Sequence, residues 1–182
     1  MTPHDIAWMA CNRHAAMQKP DELAAVLERA IALNPSVIVE IGCMAGGTLY
    51  AWREICDEVY GITLPPPNPD YPKQHGASVL LGDSHEQAAI DWLREALAGR
   101  PIDVLHIDGD HSYDGVRADW EMYSPLVRPG GLILIHDVAN SIDAPDVGSF
   151  WRQELEIQFN GTVVSFPGRR PIGFGIITKE IQ

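Results

Sequence analysis

The run Val37-Ile38-Val39-Glu40-Ile41-Gly42-Cys43-Met44-Ala45-Gly46-Gly47-Thr48 limits what this chain can fold into more than any other stretch. Four of its first five residues are apolar and β-branched, with one acid between them. Such a short, nearly continuous apolar run is a strand covered on both faces, as in a parallel sheet. Glycines follow, where the backbone must turn tightly or let another group come close. Leu49-Tyr50-Ala51-Trp52 then has the density of a helix, whose first N–H groups are free to meet a ligand. A strand, a tight loop and a helix start predict an α/β fold.

The rest of the chain repeats the alternation. Residues 4–18 read as a short amphipathic helix with a role as lid or oligomer contact left open. Pro20-Asp21-Glu22 opens a second helix, with acids in its first turn where the helix dipole favours them. Strands are expected at Glu58–Thr63, Ser78–Ser84, Ile102–Ile107 and Leu132–Asp137. Helices are expected at Glu86–Ala98, Tyr113–Tyr123 and Val147–Phe159, with Asp83 or Ser84 capping the first of these. Thr162–Phe166 and Ile172–Thr178 read as a closing antiparallel pair. Five prolines within Leu64–Pro72 exclude a helix there and predict a semi-rigid loop, either a linker or a wall over a pocket. Alternating strands and helices give a Rossmann-like, doubly wound and mostly parallel sheet of seven strands, with the last one antiparallel. One domain over residues 1–182 is expected, with residues 1–19 as a helical extension.

Composition narrows the partners. The net charge of −12 argues against a nucleic-acid backbone or an anionic membrane. Three cysteines without metal-ligand spacing predict a reducing, cytoplasmic setting and no disulfide framework. Cys43 reads as a small filler in the loop. The N-terminus lacks the pattern of a signal peptide, and the apolar runs are too short to span a bilayer.

In open α/β sheets ligands bind beyond the carboxyl ends of the strands. The polar residues at those ends are Glu40, Thr63, Asp83, Asp108, His136 and Asp137, and their shared placement marks a site. Of the histidines, His106 lies within an apolar strand and reads as a core residue. His4, His14, His75 and His85 read as surface residues, and Phe150, Trp120 and Trp151 as core or pocket wall.

Glu40, Gly42 and Gly46, followed by Gly47-Thr48, resemble motif I of the class I S-adenosylmethionine (SAM) methyltransferases. The dinucleotide pattern G-x-G-x-x-G does not occur, because Met44 stands where its second glycine would be. More specific is Asp108-Gly109-Asp110-His111-Ser112-Tyr113 before a helix, then Leu126-Val127-Arg128-Pro129-Gly130-Gly131 and a strand ending His136-Asp137. Together these resemble the small SAM-dependent O-methyltransferases that include cephalosporin-hydroxylase-like and macrolide-sugar enzymes, over roughly residues 20–140.

The resemblance implies SAM as cofactor, bound by Glu40, Gly42, Gly46, Gly47, Thr48, Thr63, Asp83, Ser84 and Asp108. Asp83 would accept the adenine amino group, since only an acceptor can receive that N–H. Thr63 stands where such folds place an acid on the ribose. Asp108 and Asp137, with His136, would hold Mg²⁺ or another divalent cation, and His111 would take the acceptor's proton. His136 replaces an oxygen ligand of related enzymes, which leaves the ion open. The expected acceptor is a small hydroxylated molecule, a sugar or natural-product scaffold, and a homo-oligomer is compatible. Metal-free transfer to nitrogen or carbon, and a non-catalytic SAM- or nucleotide-binding domain, stay open as alternatives.

Overall fold

The computed structural model describes residues 1–65, 72–166 and 172–180. Most of the proline-rich loop and the connection 167–171 lie outside the described residues. In chain order the elements are α1 (Pro3–Arg13), α2 (Pro20–Ala32), β1 (Ile38–Ile41), α3 (Gly47–Arg53), β2 (Val59–Thr63) and β3 (Ser78–Leu81). There follow α4 (Gln87–Leu97), β4 (Ile102–Ile107), α5 (Tyr113–Tyr123), β5 (Val127–His136), α6 (Pro145–Phe150), β6 (Thr162–Val164) and β7 (Phe174–Thr178).

The strands form one seven-stranded sheet in the order β3-β2-β1-β4-β5-β7-β6. The pairs from β3 through β5 are parallel. β7 runs antiparallel to both β5 and β6, so six strands share one direction and β7 opposes them. The expected architecture is the observed one.

Period-two alternation along the strands divides the core. Val39, Ile41, Leu105, Ile107, Ile133 and Ile135 pack on the side of α4 and α5. Ile38, Val104, Leu132 and Leu134 pack on the other side with α1, α2 and α3. Both faces of the central strands are therefore mostly apolar and covered, with Glu40 and His106 as a buried polar pair inside them.

Local chemistry sets several boundaries. Thr2 and Asp5 form a reciprocal capping box at the start of α1. α1 stops at Arg13, short of the expected Gln18, because Ala15 takes a positive φ of 63° and turns the chain. α4 begins at Gln87 behind Glu86, so neither Asp83 nor Ser84 caps it. Instead Asp83 Oδ1 accepts from His85 N at 2.9 Å, a local turn. The helix expected over Val147–Phe159 is α6 followed by a wider turn, Trp151–Leu155. The Pro-Gly-Gly turn is absorbed into β5 as an irregularity, where pairing jumps from Ile102↔Val127 to Val104↔Leu132.

Candidate active site

The site begins in the glycine loop between β1 and α3. Gly42 donates its N–H to Ile62 O and holds φ at 87°, and a Cβ there would lie 1.9 Å from the Asp108 carbonyl oxygen. A Cβ on Gly46 would lie 2.1 Å from Lys73 O. These glycines let backbone meet backbone, with the loop pressed between the β4 exit and the segment after the proline loop. Gly42 also faces the cleft, whereas Gly46 does not line it.

Beneath the loop, Glu40 is fully buried. It accepts from the Thr48 hydroxyl, which opens α3, and from His106 Nδ1 at 3.1 Å. Glu40 thus fixes the floor of the cleft from below and does not line it. His106 is a core residue, as its apolar neighbours predict. Burial pushes the Cys43 thiol far up, so it fills space and is no nucleophile.

The cleft has a volume of about 880 Å³. This suits a cofactor with a small acceptor beside it. Gly42, Gly47 and Thr48 form one wall, and Thr63, Asp83 and Ser84 a second. Asp108, His111, His136 and Asp137 line the part beyond the exits of β4 and β5.

Those last four residues converge. His111 Nε2 lies 3.3 Å from Asp108 Oδ1 and 3.4 Å from Asp137 Oδ2. His136 Nδ1 lies 3.2 Å and 3.3 Å from the same two oxygens. Asp137 holds its place through a φ of 64° immediately after β5. Asp108, His111 and Asp137 offer donor atoms all within 4.8 Å of one another, a spacing that suits a divalent cation. His136 is buried and His111 half-exposed.

Charge explains the state of this cluster. Burial opposes ionisation of Asp108, but the His136 charge and hydrogen bonds from His111 and His136 hold its carboxyl well below the usual range. Burial lowers His136, yet the adjacent carboxylates push it up to about 10. The hydrogen bond to Asp108 raises His111 against a smaller effect of burial. Asp108 is therefore held ionised, with His136 as its nearest counter-charge.

On the second wall, His85 sits between Asp83 and Asp119, with Nδ1 3.6 Å from Asp83 Oδ1 and Nε2 3.3 Å from Asp119 Oδ1. It lines the cleft and is not the free surface residue that the sequence suggests. Asp119, on α5, is fully buried. His14 stacks on Tyr50 with ring centroids 4.0 Å apart, and His75 meets both edge-on. These contacts anchor residues 15–18, which form a third wall.

Two site residues escape the sequence reading altogether. Gln18 Nε2 donates to Asp108 Oδ2 at 2.7 Å, across 90 residues of chain. Asn140 Nδ2 donates to Asp137 Oδ1 at 2.7 Å. Asn140 could have been found from its place three residues after Asp137 in a turn. Gln18 carries no local signal.

A protein family described as a methyltransferase domain matches residues 39–138. Demethylmacrocin O-methyltransferase of Streptomyces fradiae is 27% identical over 95 residues, covering 51% of this chain and 23% of that protein. An uncharacterized protein of Sinorhizobium fredii is 31% identical over 80 residues, covering 44% of this chain and 8% of that protein. The chain thus matches only a minor part of these curated relatives. Among solved structures, the MycE methyltransferase of the mycinamycin biosynthetic pathway, in complex with Mg, SAH and mycinamycin VI, superposes with a TM-score of 0.69. It is 16% identical, with 99% of this chain and 55% of that chain covered. An O-methyltransferase from Bacillus cereus, in complex with SAH, gives 0.66 at 19% identity, covering 98% and 90%. At such identities the likeness is one of fold.

Proposed function

The chain belongs to the methyltransferase-domain family, and from that premise we propose that it is a SAM-dependent O-methyltransferase acting on a small hydroxylated molecule, such as a sugar or natural-product scaffold. The observation that carries the reading is the convergence of Asp108, His111, His136 and Asp137 in the same cleft as the glycine loop. Relatives named as a demethylmacrocin enzyme and as a complex with mycinamycin VI support a hydroxylated natural product as acceptor.

In this reading Gly47 and Thr48 receive the methionyl end of SAM at the free N–H groups of α3, with Gly42 bordering it. Glu40 holds that loop from below, and Gly46 seats it against Lys73. Thr63 and Ser84 border the nucleoside, and Asp83 accepts its amino group. Methyl transfer is an in-line displacement from a good leaving group, so the protein's main tasks are to place an oxygen and remove its proton. The acceptor hydroxyl lies beside Asp108 and Asp137, and the neutral form of His111 takes its proton at Nε2.

Two carboxylates beside imidazole nitrogens fit a divalent cation, and the nitrogen donors favour Mn²⁺, Fe²⁺ or Zn²⁺ over Mg²⁺. Asp108 and Asp137 would hold it, with His136 as a further ligand, which leaves His111 free to act as the base. When bound, such an ion lowers the pKa of a coordinated hydroxyl. The imidazoles must then shed protons, because a ligating nitrogen is neutral.

A second, metal-free reading is favoured by the 3.2–3.4 Å contacts, since His111 and His136 already balance both carboxylates. The test is transfer of labelled methyl from SAM to a panel of hydroxylated sugars, phenols and macrolides, with Mn²⁺, with Mg²⁺ and with chelator. Metal-stimulated labelling of oxygen supports the proposal, and chelator-insensitive labelling supports the metal-free form. Tight SAM binding without labelling of any acceptor would overturn both.

A further inference from the structure

Each carboxylate of the cluster uses its two oxygens differently. The inner oxygens, Asp108 Oδ1 and Asp137 Oδ2, both face His111 and His136. The outer oxygens, Asp108 Oδ2 and Asp137 Oδ1, each accept one side-chain amide at 2.7 Å, from Gln18 and Asn140 respectively. A carboxylate turns about one bond, so holding one oxygen fixes where the other points. Both donors are neutral, so they orient the carboxylates without neutralising them.

The two amides are themselves fixed. Asn140 is nearly buried, and its Oδ1 accepts from Ile142 N and Asp143 N at 3.4 and 3.0 Å. With its oxygen tied into the turn, its nitrogen faces Asp137. Gln18 is equally buried, and its Oε1 has no hydrogen-bond partner among the described residues. The carboxylate therefore dictates the amide's orientation, because the flipped form would set oxygen against oxygen. The backbone around Gln18 is held by Ala16 N donating to Ala10 O, by Cys11 Sγ on Gln18 O, and by His14 stacked on Tyr50.

We propose that Gln18 and Asn140 form a two-sided carboxamide clamp that aims the inner oxygens of Asp108 and Asp137 at one point, and so presets the cation site. Both are positioning residues and act through the aspartates. The proposal rests on reading Asp108 and Asp137 as cation ligands. It also makes the segment between α1 and α2 a part of the reacting centre, since Gln18 is its contribution there. Outer-sphere partners of this kind tune the geometry and affinity of a metal site.

The test uses Gln18→Met, which keeps length and loses the donor, and Asn140→Ser, which keeps an oxygen for the turn. Mn²⁺ alone is titrated into the full chain by electron paramagnetic resonance, and S-adenosylhomocysteine without metal by calorimetry. Crystal structures of the metal-free variants are solved in parallel. Each variant is expected to weaken Mn²⁺ binding by about 10–100-fold. S-Adenosylhomocysteine affinity should stay within about twofold, a gap that separates lost aiming from general damage. The released carboxylate should be turned in each crystal structure. A variant that fails to fold is replaced by Gln18→Leu or Asn140→Ala. A carboxylate that keeps its orientation in either variant overturns the clamp, as does Mn²⁺ affinity equal to that of a binding wild type. Should the wild type bind no Mn²⁺, the cation reading fails. The crystal structures then decide the clamp alone, supporting it if both carboxylates have turned.

Discussion

The two ends of β4 each carry an aspartate, and the two are held in opposite ways. At the entry end, Asp103 Oδ2 accepts from Ser36 N and Val37 N at 2.7 and 2.9 Å, while Oδ1 accepts from Arg128 Nε. Burial works against its ionisation, but the guanidinium and the two amides outweigh that and lower its pKa. None of these partners can lose its proton near neutral pH. At the exit end, Asp108 is ionised against two imidazoles and one carboxamide. Imidazoles can give up protons or move aside for another cation. Both carboxylates are charged and mostly buried, yet one closes the β1–β4–β5 junction and the other keeps a place for exchange. The permanence of the partners separates the two roles better than burial or pKa direction does.

The sharpest way to break this contrast is to neutralise each aspartate in turn. Asp108→Asn should lower turnover by about 10²–10⁴-fold, the usual range for losing a proton-transfer partner or its support. Its melting temperature should fall less than that of Asp103→Asn, because the imidazoles left behind can shed their protons. Labelled-methyl transfer and thermal unfolding on the same preparation test both halves. A variant that unfolds early yet retains its turnover per folded molecule would reverse the assignment.

Gly42→Ala tests the same exit end through the backbone. The new Cβ would stand 1.9 Å from Asp108 O, at a φ that L-residues rarely adopt. The unfavourable φ costs about 1–2 kcal/mol and the overlap about 1–3 kcal/mol more. Denaturant unfolding should show a loss of about 2–5 kcal/mol, with SAM binding weakened because the loop must shift. An unchanged midpoint would mean that the β1 and β4 exits are not pressed together as described.

At the entry end, Asp103→Asn should cost about 2–4 kcal/mol of stability, because the Arg128 charge loses its counter-ion and at least one buried N–H its acceptor. Turnover per folded molecule should stay within about twofold. Urea midpoints beside initial rates decide it, and a rate loss comparable to that of Asp108→Asn would erase the difference between the two ends.

The sequence shows most of this fold because apolar runs such as Val37–Ile41 and Leu132–Ile135 have one sensible use, as buried parallel strands. It also shows that strand-end acids gather at one edge, as Asp108 and Asp137 do. It does not show what a glycine is for. Gly46 reads as room for a ligand, and its neighbour is the Lys73 backbone. Nor does it show long-range polar partners, since Gln18 meets Asp108 only after the whole sheet has assembled. His85 looks solitary for the same reason, as its partner Asp119 arrives from α5. Nor does it show a helix end where a single residue turns the chain, as Ala15 does.

The smallest effect concerns that third carboxylate. Asp119 lies beneath the exit end, where a Cβ on Gly109 would come within 2.9 Å of its Oδ2. Burial raises its pKa from 3.8 to about 6, against opposing pulls from Ser84 and His85, while Asp110 and Asp83 add to the rise. Between about pH 4 and 6 the folded chain therefore keeps a proton that the unfolded chain has lost. Stability from this group is complete below pH 4 and falls as pH rises through 6. Asp103 has the opposite sign, since its lowered pKa costs stability as pH falls, so only a difference measurement isolates Asp119. Asp119→Asn removes the titration while keeping the shape. The variant should gain on the wild type by about 1–2 kcal/mol between pH 4 and 6 in urea unfolding. A flat difference, or one that falls with pH, would show that Asp119 has a permanent partner like that of Asp103, and that the exit end is as closed there as the entry.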